Sequence, residues 1–278
     1  MRYRLLAIVV LSVALHVAFA VLAPSPGAAA EIHFAFRVAM RALATWGCLL
    51  AGLRFARGDY LRRGWMLFAL SFGLLLAKDL WRGPSLHGLA STSVDHDAVR
   101  DALVIAANAV GVAAIWVLAR AWFRAGLALM TSVKRQVTSF VMAAAVSLAV
   151  TGPTLFTDVH LFLGGNVDAL ALVTSDVADV TSFALLGPLL LTAIALRGGV
   201  LAWTWYLLAL GGLSFLFMDV AQSLGAFGHG SPRARLAEEV FRTAAAAAYL
   251  GAGLAQRWAL ESARGTRPRR ALASEPAN

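Results

Sequence analysis

The sequence predicts an all-α fold: a polytopic membrane helix bundle of eight transmembrane helices, built as a parallel 4+4 internal repeat. Three observations predict it. Of the 278 residues, 60% are hydrophobic and 14% charged, against roughly 25% charged in soluble domains. Lipid can cover that much apolar surface, whereas a soluble fold of this size cannot. Next, eight segments approach the length of about 20 apolar residues that a spanning helix needs. Finally, the chain matches itself at a single offset of 140 residues.

The eight segments fall at about 5–23, 36–56, 64–81, 101–119, 136–156, 177–196, 201–221 and 240–260. They read as helices because an isolated strand in lipid leaves its backbone groups unsatisfied. The first follows Arg2 and Arg4 and ends before a stretch of small residues, Ala28–Ala30. Signal peptides share that layout, but its apolar run of about 19 residues exceeds their usual core of about 7–15. A retained first helix is therefore expected; cleavage would leave seven helices. The second segment carries Arg37 and Arg41 in its first turns, and the fifth and sixth contain Pro153 and Pro188. The eighth includes Ala244–Ala248, a good helix former that is only mildly apolar.

Charge sorts the connecting segments into two sides. One side has sixteen basic and three acidic residues, about +13; the other has eight basic and twelve acidic, about −4; together they give the formal +9. Basic short loops mark the cytoplasmic side, so both termini are expected in the cytoplasm of a bacterial cell, with the chain in the inner membrane. The lipid bilayer is then the first partner, and the basic balance is explained without nucleic acid. The tail 266–278 is basic and rich in Pro and Ala, and is expected to be disordered. The lone Cys48 lies in an apolar run and reads as a buried thiol.

The repeat rests on scarce residues. At the 140-residue offset Trp65 falls on Trp205, Asp79 on Asp219, Arg57-Gly58 on Arg197-Gly198, Gly47 on Gly187 and Gly111 on Gly251; 18 of 68 positions from Ala44 to Gly111 are identical. Each copy has an even number of crossings, so both run the same way, related by an axis along the membrane normal. The copies are 1–130 and 131–265, and helix three pairs with helix seven across the axis.

Several charged residues sit where charge is costly. Fourteen residues separate each Trp from its Asp, about 21 Å along a helix. Trp65 and Trp205 are expected at the cytoplasmic interface, and Asp79 and Asp219 near the outer end of the hydrocarbon layer. Asp79 has Arg37, Arg41 or Arg100 as candidate partners, and Asp219 has Arg242. The alternative is that both aspartates converge on an outward-open polar cavity. Arg37 and Arg41 share one face of helix two, while helix six carries Asp176 and Asp179 in the corresponding turns. Across the axis these four form either an ion-pair network or a site for an anion or zwitterion clamped by the arginines. Lys78 is free to snorkel outward.

All six histidines fall on the outer side or in the outer half of a helix. His33, His87, His96, His160 and His229 read as solvated loop residues, and His16 as mid-helix and bonded to a neighbouring helix. No His-Glu-x-x-His or His-x3-His spacing points to a metal, and a bis-histidine haem needs two membrane histidines face to face. No metal or other cofactor is expected. Gly-x-Gly-Asp, Gly-x-Ser-x-Gly and a phosphate-binding glycine loop are absent, which argues against an enzyme.

The layout Arg63-Gly64-Trp65, long apolar run, Asp79, repeated as Trp205 to Asp219, resembles the multi-pass membrane input regions of bacterial sensor kinases and diguanylate cyclases. The resemblance covers helices three and seven and implies a signal-input module sensing something at the outer face or in the membrane. No kinase, PAS or cyclase domain is read after Arg270, so a membrane or cytoplasmic signalling partner is expected. The other reading is a small-solute transporter with its site between the two repeats.

Overall fold

A computed structural model describes residues 2–81, 95–124, 132–195, 200–227 and 232–265. His87, His229, Arg197-Gly198 and the tail 266–278 lie outside the described residues, as does the side chain of His96. The described chain is all helical, with eight helices: α1 (Arg2–Val21), α2 (Pro26–Leu53), α3 (Tyr60–Trp81), α4 (Asp95–Arg124), α5 (Val133–Leu163), α6 (Ala169–Ala195), α7 (Val200–Phe227) and α8 (Pro232–Gly265). Seven of them, α1 to α7, are long and apolar enough to cross a membrane, as expected of a multi-pass membrane protein. α8 falls short of that mark because Glu238, Glu239, Arg242, Gln256 and Arg257 dilute its alanines. It is nonetheless the most enclosed helix, with Ala245–Ala248, Ala252 and Ala255 buried. A helix shielded by protein does not need the hydropathy that lipid demands, and small side chains let its neighbours come close.

α2 begins a good two turns earlier than its apolar run suggests. Ser25 caps it, its hydroxyl accepting from the Ala28 amide at 3.2 Å, and Pro26 stands in the first turn. Ser before Pro at N1 is a strong start signal, and it overrides the weak hydropathy of residues 26–35. Arg37 and Arg41 thus lie in the interior of α2, not in its first turns. Pro153 and Pro188 are accommodated inside continuous helices.

Six helices close a circuit in which each packs on the next: α2, α3, α4, α6, α7, α8 and back to α2. α1 lies outside against α8 and α2, and α5 outside against α6 and α7. Both outer helices turn large apolar side chains outward, such as Val10, Leu15 and Phe19 on α1 and Phe140, Val141 and Phe156 on α5. Apolar surface this continuous suits a lipid surround. Their inner stripes are narrow: Leu5, Val9 and His16 on α1, Ser147 and Thr151 on α5. α3 and α7 are not neighbours in the circuit but stand across it.

The two ends of the bundle differ. At the basic end, which holds the α2–α3 turn, Arg54 pairs with Glu261 of α8 at 2.9 Å and Arg124 covers the Tyr60 ring at 4.9 Å. The half of the bundle next to it is tightly packed around Trp65, Ile115, Leu118, Leu207 and Leu208, all at most 2% exposed. Cys48 belongs to this core. Trp65 and Trp205 are therefore core residues, not interfacial anchors. Each indole fills the space between helices, and the side chains exposed to the surround include Trp46 and Trp116 instead.

Candidate functional site

Toward the other end the helix contacts become polar. Arg41 of α2 is 6% exposed and Asp79 of α3 4%. An Nη of Arg41 donates to Asp79 Oδ2 and to the Leu75 carbonyl at 3.0 Å. Arg37, one turn earlier, places Nε 3.8 Å from Asp79 Oδ1 and donates through Nη1 to Glu239 Oε1 of α8 at 3.1 Å. Lys78 Nζ stands 3.3 Å from Asp79 Oδ1, so it faces its neighbour rather than snorkelling away. Arg242 binds Glu239 and, at 2.6 Å, Glu238. The i+3 and i+4 spacings on α8 make that fork possible. Four cations and three carboxylates are thus joined across α2, α3 and α8. Burial makes each charge costly unless paired, and here each carboxylate has at least one cation.

A histidine pair extends the network to α1. His16 Nε2 and His33 Nδ1 are hydrogen-bonded at 2.8 Å, and His16 Nδ1 meets Thr243 Oγ1 at 2.8 Å. The Phe36 ring stacks on His16 at 4.5 Å. His33 is a buried helical residue, not a loop histidine, because α2 starts at Pro26. The two imidazoles touch directly, so no haem fits between them. Replacing Thr243 by Val should cost about 0.6 kcal/mol, the mean for a hydrogen bond between membrane helices. His16→Leu should cost more, about 1–3 kcal/mol, since His33 then loses its buried partner. Denaturant unfolding in mixed micelles checks both, and equal costs would mean that the His16–His33 contact contributes nothing.

The wall formed by α6 and α7 is built differently. Asp179 and Asp219 are within hydrogen-bonding reach of each other, with Asp176 close by. Asp176 also accepts from Thr154 of α5 at 3.2 Å. The pairing of Arg37 and Arg41 with Asp176 and Asp179 across the axis does not form: the arginines bind Asp79 and Glu239 instead, which are nearer neighbours on α3 and α8. Asp79 and Asp219 likewise belong to separate clusters. Arg242 is the electrostatic neighbour of both. Asp79 thus meets α2, and Asp219 meets α6, at matching positions, with a cation as partner in the first case and a carboxyl in the second.

Between these two walls lies a cavity of about 560 Å³. Arg100, Asp101 and Asp168 stand at its outer end. From Lys78 it reaches down to Phe68, ten residues of α3, about 15 Å along the axis. Its floor is a ring cluster: Tyr249 lies 5.2 Å from Phe68, 4.8 Å from Phe72 and 6.2 Å from Phe215. Gly211 makes room for Tyr249, since a methyl there would stand 2.7 Å from the ring. Three lining residues carry buried polar atoms without a hydrogen-bond partner: Glu239 through Oε2, Asn108 through Nδ2 and Arg37 through Nε. Glu238, Glu239, Asn108 and Tyr249 escaped the sequence reading. The spacing of Glu238, Glu239 and Arg242 directly before an alanine run was the available signal.

Among the described residues no set of three or more His, Cys, Asp or Glu is arranged to hold a metal ion. Comparison with protein-family models, curated proteins and solved structures finds no match to this chain.

Proposed function

We propose that this chain is a signal-input protein of the bacterial inner membrane. A small solute enters the cavity from the outer side, and the helices rearrange around it. One observation carries the reading: a ligand-sized polar cavity runs from one end to mid-helix, while the other half of the bundle is dry and closely packed. Small-molecule sites have volumes of about 300–1,000 Å³. The arginine-rich turns are taken to face the cytoplasm, with both termini there and α8 as the eighth span. The signal then passes to a membrane or cytoplasmic partner.

The packing supports a parallel 4+4 duplication, 1–130 and 131–265. α2–α3 corresponds to α6–α7, α3–α4 to α7–α8, and α2–α8 to α6–α4. α1 and α5 depart from the symmetry, since α1 packs on α8 and α5 on α6 and α7. The position of the cavity between α2–α4 and α6–α8 favours a second reading, a small-solute transporter. Transport requires the dry half to open in turn.

Single cysteines in a Cys48→Ser background separate the two. Ser182 lines the cavity and Ala255 is buried in the dry half. For a sensor, Ser182→Cys reacts with an impermeant thiol reagent from outside, and Ala255→Cys reacts from neither side. For a transporter, Ala255→Cys also reacts from the cytoplasmic side. No outside reaction at Ser182→Cys would remove the cavity from both readings.

A further inference from the structure

The charges around the cavity are not equally available to a ligand. An anion clamped by Arg37 and Arg41 was one expectation, but both already have carboxylate partners. Arg41 serves Asp79 and a carbonyl, Arg37 serves Asp79 and Glu239, and Arg242 serves both glutamates. On the opposite wall the balance is reversed. The described residues of α6 and α7 include Asp176, Asp179 and Asp219 and no Lys or Arg. Asp179 lines the cavity, and Asp219 is its neighbour behind that wall. Glu239 supplies a second, independent sign of a missing donor: it lines the cavity, is 7% exposed, and has a buried Oε2 with no partner. Buried acceptors want donors.

The floor adds a third feature. Phe68, Phe72, Phe215 and Tyr249 present aromatic surface to the cavity, and ring faces attract organic cations. Carboxyl acceptors beside aromatic rings form a site that suits an ammonium group with an apolar body. A carboxylate placed beside Asp179 and Glu239 would meet carboxyl oxygens rather than donors. Asn108, with its unpartnered Nδ2, offers one hydrogen bond to a neutral acceptor on the same ligand.

We propose that the cavity takes a small organic amine in its ammonium form. Its head lies between Asp179 on one wall and Glu239 on the other, and its body lies on the Phe68, Phe72, Phe215 and Tyr249 rings. This rests on the reading that the cavity admits a solute from one side.

The test uses the full chain in lipid nanodiscs with four probes of similar size: 2-phenylethylamine, its N-acetyl derivative, 3-phenylpropionate and phenylalanine. Calorimetry should show the amine binding at least tenfold tighter than the neutral and anionic probes. Asp179→Asn should weaken the amine at least tenfold, and Asp179→Glu should recover part of that loss. Tighter binding of 3-phenylpropionate or phenylalanine would overturn the cation inference while the solute cavity stands. No binding of any probe to a protein with an intact thermal unfolding transition would overturn both. If Asp179→Asn does not fold, the four-probe comparison on the unchanged chain decides.

Discussion

Arg41→Met should destabilise the bundle by about 3 kcal/mol. Removing one member of a buried ion pair costs about 3–5 kcal/mol, because the surviving charge is left uncompensated. Here the lower end applies, since Lys78 Nζ at 3.3 Å and Arg37 Nε at 3.8 Å still face Asp79. Asp79→Leu alone should be at least as costly, because it leaves Arg41, Arg37 and Lys78 together without their shared carboxylate. The double variant Arg41→Met, Asp79→Leu should recover most of the loss, since an apolar pair of similar volume often replaces a buried ion pair at little cost. Denaturant unfolding of the four proteins in mixed micelles closes the cycle. Additive costs would mean that the two side chains do not act as a pair.

Gly253→Val should be the most damaging single apolar change. α2 and α8 cross so closely that a methyl on Gly253 would stand 2.3 Å from the Gly47 carbonyl oxygen, and one on Gly47 would stand 2.9 Å from Leu250. Backbone cannot yield as a flexible side chain does, so the helices must separate. Overpacking typically costs about 1–3 kcal/mol, and the upper end is expected, with Gly253→Ala already measurably harmful. Gly73→Ala is the control, because nothing lies within 4 Å of its added methyl. It should stabilise α3 by up to about 1 kcal/mol through helix propensity alone. Similar losses at both glycines would show that the α2–α8 crossing is not tight.

Hydropathy made the helices legible, because lipid imposes a length and a composition on each span. It left two features unread, each for its own reason. The start of α2 is set by a cap and a proline, which hydropathy does not register. α8 is surrounded by protein, so its sequence is released from the lipid requirement and can carry Glu238, Glu239 and Arg242. The Trp-to-Asp spacing placed each aspartate toward one end of its helix. It could not tell that Trp65 and Trp205 point inward, since an interfacial and a core tryptophan look alike in one dimension.

The sequence by itself determined the helical membrane character of the chain, its eight helical segments and the short list of charges that must find partners. Those follow from local composition, and each span reports its own surroundings. Only the tertiary structure decided which partners they find. Arg37 and Arg41 could have met Asp79, Asp176 or Asp179, and the circuit of helices gave them Asp79 and Glu239. That choice gives the cations of one wall their carboxylates and leaves Asp179 of α6 facing the cavity from the other. The pairing depends on which helices are neighbours and how each is rotated, and neither is written in any single segment.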